Sequence, residues 1–369
     1  MHTIHVGLAE RTYPVHIGHG TLADIGGRCA DLELGSRVAV VADTNVAPHY
    51  LDPVLNSLQA AGFQPGSIPF SGGDPAKTLN TADRILAELI RAGYDRSAWI
   101  LAAGGGVVGD LAGFVASVFL RGIPFVQLPT SLLAQVDASV GGKVAVNHAL
   151  GKNLVGAFHQ PRLVWIDTRV LQTLPRRELV GGLAEIVKHA VIRDPHLFEF
   201  LEKRLESIVS LECPPDELNW LIARNVEIKA AVVAADERES GLRMILNYGH
   251  TVGHAIESAT SFQQYRHGEA VILGMMAAGE IAVGRQLWSR DERDRHDALL
   301  LRLPLPAGLE LPDPDRVIER VHSDKKRLGG RLRFVLPTAL GAVKIVEGIE
   351  EAEIAQALHH VSRMCCRSR

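Results

Sequence analysis

Cysteine is scarce in this chain: Cys29, Cys213, Cys365 and Cys366 are the four among 369 residues. They show neither zinc-finger spacing nor a disulfide framework, and the adjacent Cys365 and Cys366 fall in an Arg-rich tail, so a reducing compartment fits. Long apolar runs are missing too. The longest low-charge stretch, residues 111–120, is about half of what a bilayer-crossing helix needs. No charged leader precedes an apolar run near the start, so no signal peptide is read and a cytoplasmic location is expected. Charge of one sign is also lacking, since 39 Lys and Arg stand against 42 Asp and Glu for a formal net charge of -3. That argues against the broad basic field of a nucleic-acid or membrane-surface binder, yet a small anion needs only a local cluster of cations. Lysine itself is sparse, nine of those 39 basic residues. No internal repeat or low-complexity tract is evident.

What is present is enough apolar material for large cores. At 369 residues with 47% hydrophobic content, the chain exceeds the size at which one core stops growing, and two domains with a ligand between them are expected. Through the first half, short β-rich runs (38–42, 99–103, 125–128, 164–166) alternate with helical patterns such as 79–90. This is the rhythm of an α/β fold with a parallel sheet covered by helices, and ligands in such folds sit beyond the carboxyl ends of the strands. After Pro175 the pattern turns mainly helical, over 180–192, 218–235, 251–258 and 269–287, with a late two-stranded element expected at 332–336 and 343–346. A boundary near residue 176 follows, giving domains 1–176 and 177–369.

Three groups of residues carry candidate chemistry. Gly104, Gly106 and Gly109 follow the 99–103 strand at dinucleotide-fingerprint spacing, where backbone N–H groups and a helix N-terminus can approach a pyrophosphate. No acid stands about 20 residues later to hold a ribose, though Asp43 and Asn45 could do so from another strand end; a plain glycine turn also accounts for the spacing. Gly72, Gly73, Asp74 and Lys77 form a second glycine turn. The second group is His250 and His254, four apart on one helix face, with His267 a short loop away. No Glu follows His250 directly, which disfavours a zinc-protease helix. Glu185, flanked by Ala184, Ile186 and Val187, is a candidate buried carboxylate for a divalent cation; capping or core histidines remain the alternative. The third group is the lysines. Lys143, Lys152, Lys188, Lys229, Lys325 and Lys326 cluster near these motifs and, with Arg121 and Arg243, suggest a polyanion pocket.

Long ordered blocks make the chain resemble the 3-dehydroquinate synthase family over almost its full length: residues 121–130 (RGIPFVQLPT), 132–158 (LLAQVDASVGGKVAVNHALGKNLVGAF), 173–188 (TLPRRELVGGLAEIVK), 246–257 (LNYGHTVGHAIE), 267–271 (HGEAV) and 324–337 (DKKRLGGRLRFVLP). The resemblance implies a Rossmann-like domain that binds NAD+, followed by a mainly helical domain that binds substrate and one divalent metal, Zn2+ or Co2+, with the active site in the cleft between them. It places the metal on Glu185, His250 and His267, moving His254 to the substrate. It assigns NAD+ to Asp43, Asn45, Gly73, Asp74, Lys77, Gly105, Gly106, Val107, Val108, Gly109, Asp110, Thr130, Ser131, Lys143, Lys152 and Thr173. Substrate contacts resemble Arg121, Asp137, Lys143, Lys152, Asn153, Lys188, Lys229, Arg243, Asn247, His254 and one of Lys325 or Lys326. Two positions depart from the family pattern, Asp74 where Glu is common and Ser131 where Thr is repeated. The implied reaction turns a phosphorylated sugar acid into a carbocycle by transient oxidation, phosphate elimination, reduction and aldol closure, in a homodimer. Another sugar-phosphate cyclase, such as an aminodehydroquinate or 2-deoxy-scyllo-inosose synthase, is the alternative.

Overall fold

The computed structural model describes residues 1–306, 311–327 and 332–367, apart from the side chains of 324–327 and 367. The chain divides into two compact units, residues 1–174 with 214–238, and residues 175–213 with 239–369.

The first unit is built on a seven-stranded sheet. Its strands are β1 (His2–Val6), β2 (Tyr13–Gly18), β3 (Arg37–Asp43), β4 (Gln64–Phe70), β5 (Trp99–Gly104), β6 (Phe125–Pro129) and β9 (Leu163–Asp167), in the order β1-β2-β9-β6-β5-β3-β4. Only β1 runs antiparallel to its neighbour. Strands β5, β6 and β9 are buried at every residue, and β3 at all but its first, as expected of parallel strands covered on both faces. These are the four runs whose continuous apolar character is plain in the sequence. Strand β4 carries Pro65, Gly66 and Pro69, which an edge strand tolerates because one side of its ladder is unpaired. A separate hairpin pairs β7 (Lys143–His148) with β8 (Gly151–Phe158). Helices α1 (Ile25–Ala30), α2 (Ala47–Ala60), α3 (Leu79–Arg91) and α4 (Gly106–Val118) complete the crossovers, with Ile85, Leu89, Leu111 and Val115 in one core and Val54, Leu58, Trp99 and Trp165 in another.

The chain then enters the second unit as α5 (Arg176–Arg193) and α6 (Pro195–Val209), returns to the first as α7 (Pro215–Ala235), and goes back for the rest. The expected break near 176 therefore coincides with one of three crossings, and α7 packs on β1 and β2. The second unit continues with α8 (His250–Ala259), α9 (His267–Gly284), α10 (Arg290–Leu301), α11 (Pro314–Arg327), a hairpin of β10 (Arg333–Ala339) with β11 (Ala342–Glu347), and α12 (Glu351–Arg367). Helix α9 stops at Gly284, short of the expected residue 287, because Gln286 turns into the left-handed region at φ 58°.

One close approach positions the second unit's site. A Cβ on Gly268 would lie 2.7 Å from the carbonyl oxygen of Gly181 and closer still to its Cα, so the start of α9 touches the backbone of α5. Glu185 lies one turn after Gly181, and His267 directly precedes Gly268. Gly268→Ala must part the two helices. We expect a loss of about 1–3 kcal/mol of stability from overpacking and weaker metal uptake, measured by thermal denaturation and metal titration; unchanged metal affinity would separate the helix contact from the site.

Candidate active site

In the second unit, Glu185, His250 and His267 offer ligand atoms within 4.8 Å of one another. Glu185 sits midway along α5 and is fully buried. Its Oε1 lies 3.6 Å from His250 Nε2 and 3.4 Å from His267 Nε2, while its Oε2 pairs with Lys188, one turn on and also buried. His250 opens α8 after Gly249, whose φ of 79° only glycine adopts without strain. His267 opens α9, and Glu269 fixes that start by accepting from the backbone N–H of Arg266 at 2.8 Å and from the guanidinium of Arg177 at 2.5 and 2.8 Å.

The far side of each imidazole decides what the near side can do. His250 Nδ1 is 3.1 Å from the carbonyl oxygen of Tyr248, which can only accept, so Nδ1 carries the hydrogen and the neutral ring presents its Nε2 lone pair to Glu185. His267 Nδ1 lies 3.2 Å from Glu257 Oε2, the carboxylate backing common for metal-bound histidine. Burial pushes His250 down to about 3, despite the opposing pull of Glu185. Burial also lowers His267, but its hydrogen bonds to Glu185 and Glu257 outweigh that and carry it up to about 10. A carboxylate oxygen and two oriented ring nitrogens converge on one point, and a divalent cation that displaces the His267 proton would find there the donor set of an open site, so these residues fit a metal of the Zn2+ or Co2+ kind.

His254, one turn along α8 and exposed, has its ring centroid 5.3 Å from His250 and 5.8 Å from His267. It forms a second grouping with Glu257 and His267. Arg243 is buried and Asn247 donates to Glu239 Oε1 at 3.0 Å. Lys325 and Lys326 lie on α11 with side chains outside the described set.

In the first unit most of the expected nucleotide residues follow the carboxyl ends of β3, β4, β5 and β6, while Thr173 ends the short helical turn after β9. Asp43 ends β3 and accepts from the backbone N–H of Asn45 at 2.8 Å. Gly72 packs closely there, since a Cβ would lie 2.5 Å from Asn45 Nδ2 and 3.0 Å from Asp43 Cγ and would push those side chains aside. Gly73 has φ 94°, and Asp74 follows it and pairs with Lys152 at 3.0 Å. Lys77 is buried and donates to Asp110 Oδ2 and Asn153 Oδ1, both at 2.5 Å. Burial pushes the Asp110 carboxyl up, against the pull of Lys77. Gly105 caps α4, which Gly106, Val107, Val108 and Gly109 begin, and a Cβ on Gly109 would meet Gln127 Oε1 at 2.5 Å. Thr130 N–H donates to the Gly104 carbonyl at 2.9 Å, and Ser131 Oγ accepts from Ala134 N–H at 3.3 Å. Lys229 on α7 pairs with Asp137. Arg121 and Lys143 are exposed, the former in the left-handed region at φ 71°. Sequence reasoning overlooked Tyr50, whose hydroxyl lies 2.6 Å from Thr173 Oγ1. It also passed over Glu257, which helical spacing puts one turn beyond His254.

The class of protein follows from fold and site compared with known proteins. A 2-deoxy-scyllo-inosose synthase complexed with carbaglucose-6-phosphate, NAD+ and Co2+ superposes with a TM-score of 0.88 at 29% identity, covering 97% of this chain and all of the other. A 2-epi-5-epi-valiolone synthase from Streptomyces hygroscopicus subsp. jinggangensis, with NAD+ and Zn2+ bound, gives the same TM-score and identity over 97% and 98% of the two chains. The fold is thus that of the sugar-phosphate cyclases. The sequence is more specific: the profile of the 3-dehydroquinate synthase N-terminal region matches residues 67–181, and that of the C-terminal region residues 182–327. The 3-dehydroquinate synthase of Desulforamulus reducens is 47% identical over 361 residues, 97% of this chain and 99% of that protein. The chain belongs to the 3-dehydroquinate synthase family.

Proposed function

We propose that this chain is an NAD- and metal-dependent lyase that converts 3-deoxy-D-arabino-heptulosonate 7-phosphate into 3-dehydroquinate and phosphate. The observation that carries the chemistry is the convergence of two Nε2 atoms, each fixed from behind through Nδ1, on one buried oxygen of Glu185. When bound, the metal supplies Lewis acidity toward adjacent substrate hydroxyls and NAD+ a hydride acceptor that is restored within each turnover.

The chain's own residues do the rest. Glu185, His250 and His267 hold the metal; Asp43, Asn45, the turn Gly73–Lys77, the start of α4, Thr130, Ser131 and Thr173 orient the nucleotide. Lys188, Lys229, Arg243, Asn247 and His254, with Arg121, Lys143, Lys152, Asn153 and Lys325 or Lys326, neutralise and orient the phosphate and carboxylate. Lys77 is committed to Asp110 and Asn153, which fixes the second glycine turn to the start of α4 and to β8. The reading includes a homodimeric assembly, a cytoplasmic location and no nucleic-acid partner. No described helix is long and apolar enough to cross a membrane.

The test is a coupled assay of inorganic phosphate and carbocycle with purified protein, NAD+, Zn2+ or Co2+, and the heptulosonate phosphate. Both products should appear without net NADH. The fold likeness to a 2-deoxy-scyllo-inosose synthase keeps a second cyclase reading in view. Turnover of glucose 6-phosphate or of an amino analogue in preference to the heptulosonate would transfer the assignment to it.

A further inference from the structure

The second unit holds a buried polar network that the reaction does not use. The Tyr248 hydroxyl lies 3.2 Å from the carbonyl oxygen of Met275 and 3.1 Å from His296 Nε2. His296 Nδ1 lies 2.8 Å from Asp297 Oδ1, and His360 Nε2 lies 2.9 Å from Asp297 Oδ2. Arg293 closes the circuit by pairing with Glu280 and lying 3.3 Å from His360 Nδ1. Tyr248, His296 and Asp297 are fully buried. Burial opposes charge on Asp297, yet hydrogen bonds from His296 and His360 hold its carboxyl below the usual range. Burying this many polar groups is costly unless each is satisfied, and apolar residues would fill the same space more simply.

The network begins and ends on α9, at Met275 and at Glu280, and α9 carries His267 at its first position. Next to Met275 in it stands Tyr248, whose backbone carbonyl accepts from His250 Nδ1. Between them, Gly249 lies so close to α9 that a Cβ would sit 3.0 Å from both the Met275 nitrogen and the Val271 carbonyl oxygen. The Tyr248 ring is therefore pinned to the same helix as one imidazole while its carbonyl orients the other. A tyrosine so held has little freedom to rotate its own peptide.

We propose that Tyr248, held by His296 and Asp297, is a positioning residue that sets the orientation of His250 relative to His267. The proposal rests on the metal-site reading above, and its test keeps the two apart. Apoprotein is titrated with Co2+, following metal affinity and the cobalt absorption bands, for wild type, H250A, Y248F and D297N, with circular dichroism and melting temperature on the same samples. Y248F removes only the hydroxyl. It should keep the fold and the carbonyl behind His250, bind Co2+ several-fold more weakly, short of the roughly 10- to 100-fold that follows loss of the partner behind a ligand, and shift the cobalt bands. D297N leaves the ligands and Tyr248 chemically intact, and should weaken Co2+ binding in the same direction by a smaller factor. If Y248F unfolds, D297N decides alone. Wild-type affinity and bands in a folded variant, whatever its melting temperature, would overturn the proposal and leave a network that serves stability only. Failure of the metal-site reading looks different: wild type itself would take up no stoichiometric Co2+, or H250A would retain it, and the proposal would fall with it.

Discussion

Alanine at His250 or at His267 is expected to strip tightly held metal from the purified protein and to abolish phosphate release. Each substitution removes one of three converging donors and leaves Glu185 facing Lys188 and a single imidazole. The loss should exceed the roughly 10- to 100-fold that follows removal of a partner behind a ligand. NAD+ binding should persist, because the nucleotide residues belong to the first unit and both histidines to the second. Elemental analysis together with a nucleotide titration on each variant measures both quantities. Full metal occupancy in either variant would remove the assignment.

Alanine at His254 should instead leave the metal in place and slow the reaction. Its four-residue spacing from His250 and its grouping with Glu257 and His267 make it the rival ligand, so the prediction is sharp. What favours the substrate role is that His267 meets Glu257 through Nδ1 and Glu185 through Nε2, leaving neither ring nitrogen for a second metal. Losing one hydrogen bond to a charged substrate costs about 1.5–3 kcal/mol, a drop of roughly 10- to 150-fold in catalytic efficiency, and more if a proton transfer is lost with it. Metal content and phosphate-release kinetics belong on the same preparation. Loss of metal with the fold preserved would put His254 among the ligands.

Legibility in the sequence followed burial. The four central strands announce themselves as apolar runs because helices cover both faces of the sheet. Strand β4 does not, since its prolines and glycine read as loop until its edge position is known, and β8 alternates exposed and half-buried residues around Gly156. The helical texture after Pro175 was visible, but not that α7 belongs with the sheet, for its sequence names no partner. At the candidate site, Glu185, His250, His254 and His267 could be nominated from residue type and spacing, while the choice among the histidines came from the family resemblance. The groups that turn their rings could not, because a backbone carbonyl such as that of Tyr248 leaves no mark in a sequence, and the tie from Tyr50 to Thr173 spans 123 positions.

The return of α7 bears on how the molecule is made. During synthesis the sheet strands are all available once residue 167 has emerged, but the helix that covers β1 and β2 and supplies Lys229 to Asp137 follows some fifty residues later, after two helices of the other unit. Chains are extended at about 5–20 residues per second, so a nascent sheet waits several seconds with β1 and β2 uncovered by α7. A fragment ending near residue 176 would keep that deficit permanently, and the smallest contiguous piece containing the whole first unit runs to residue 238.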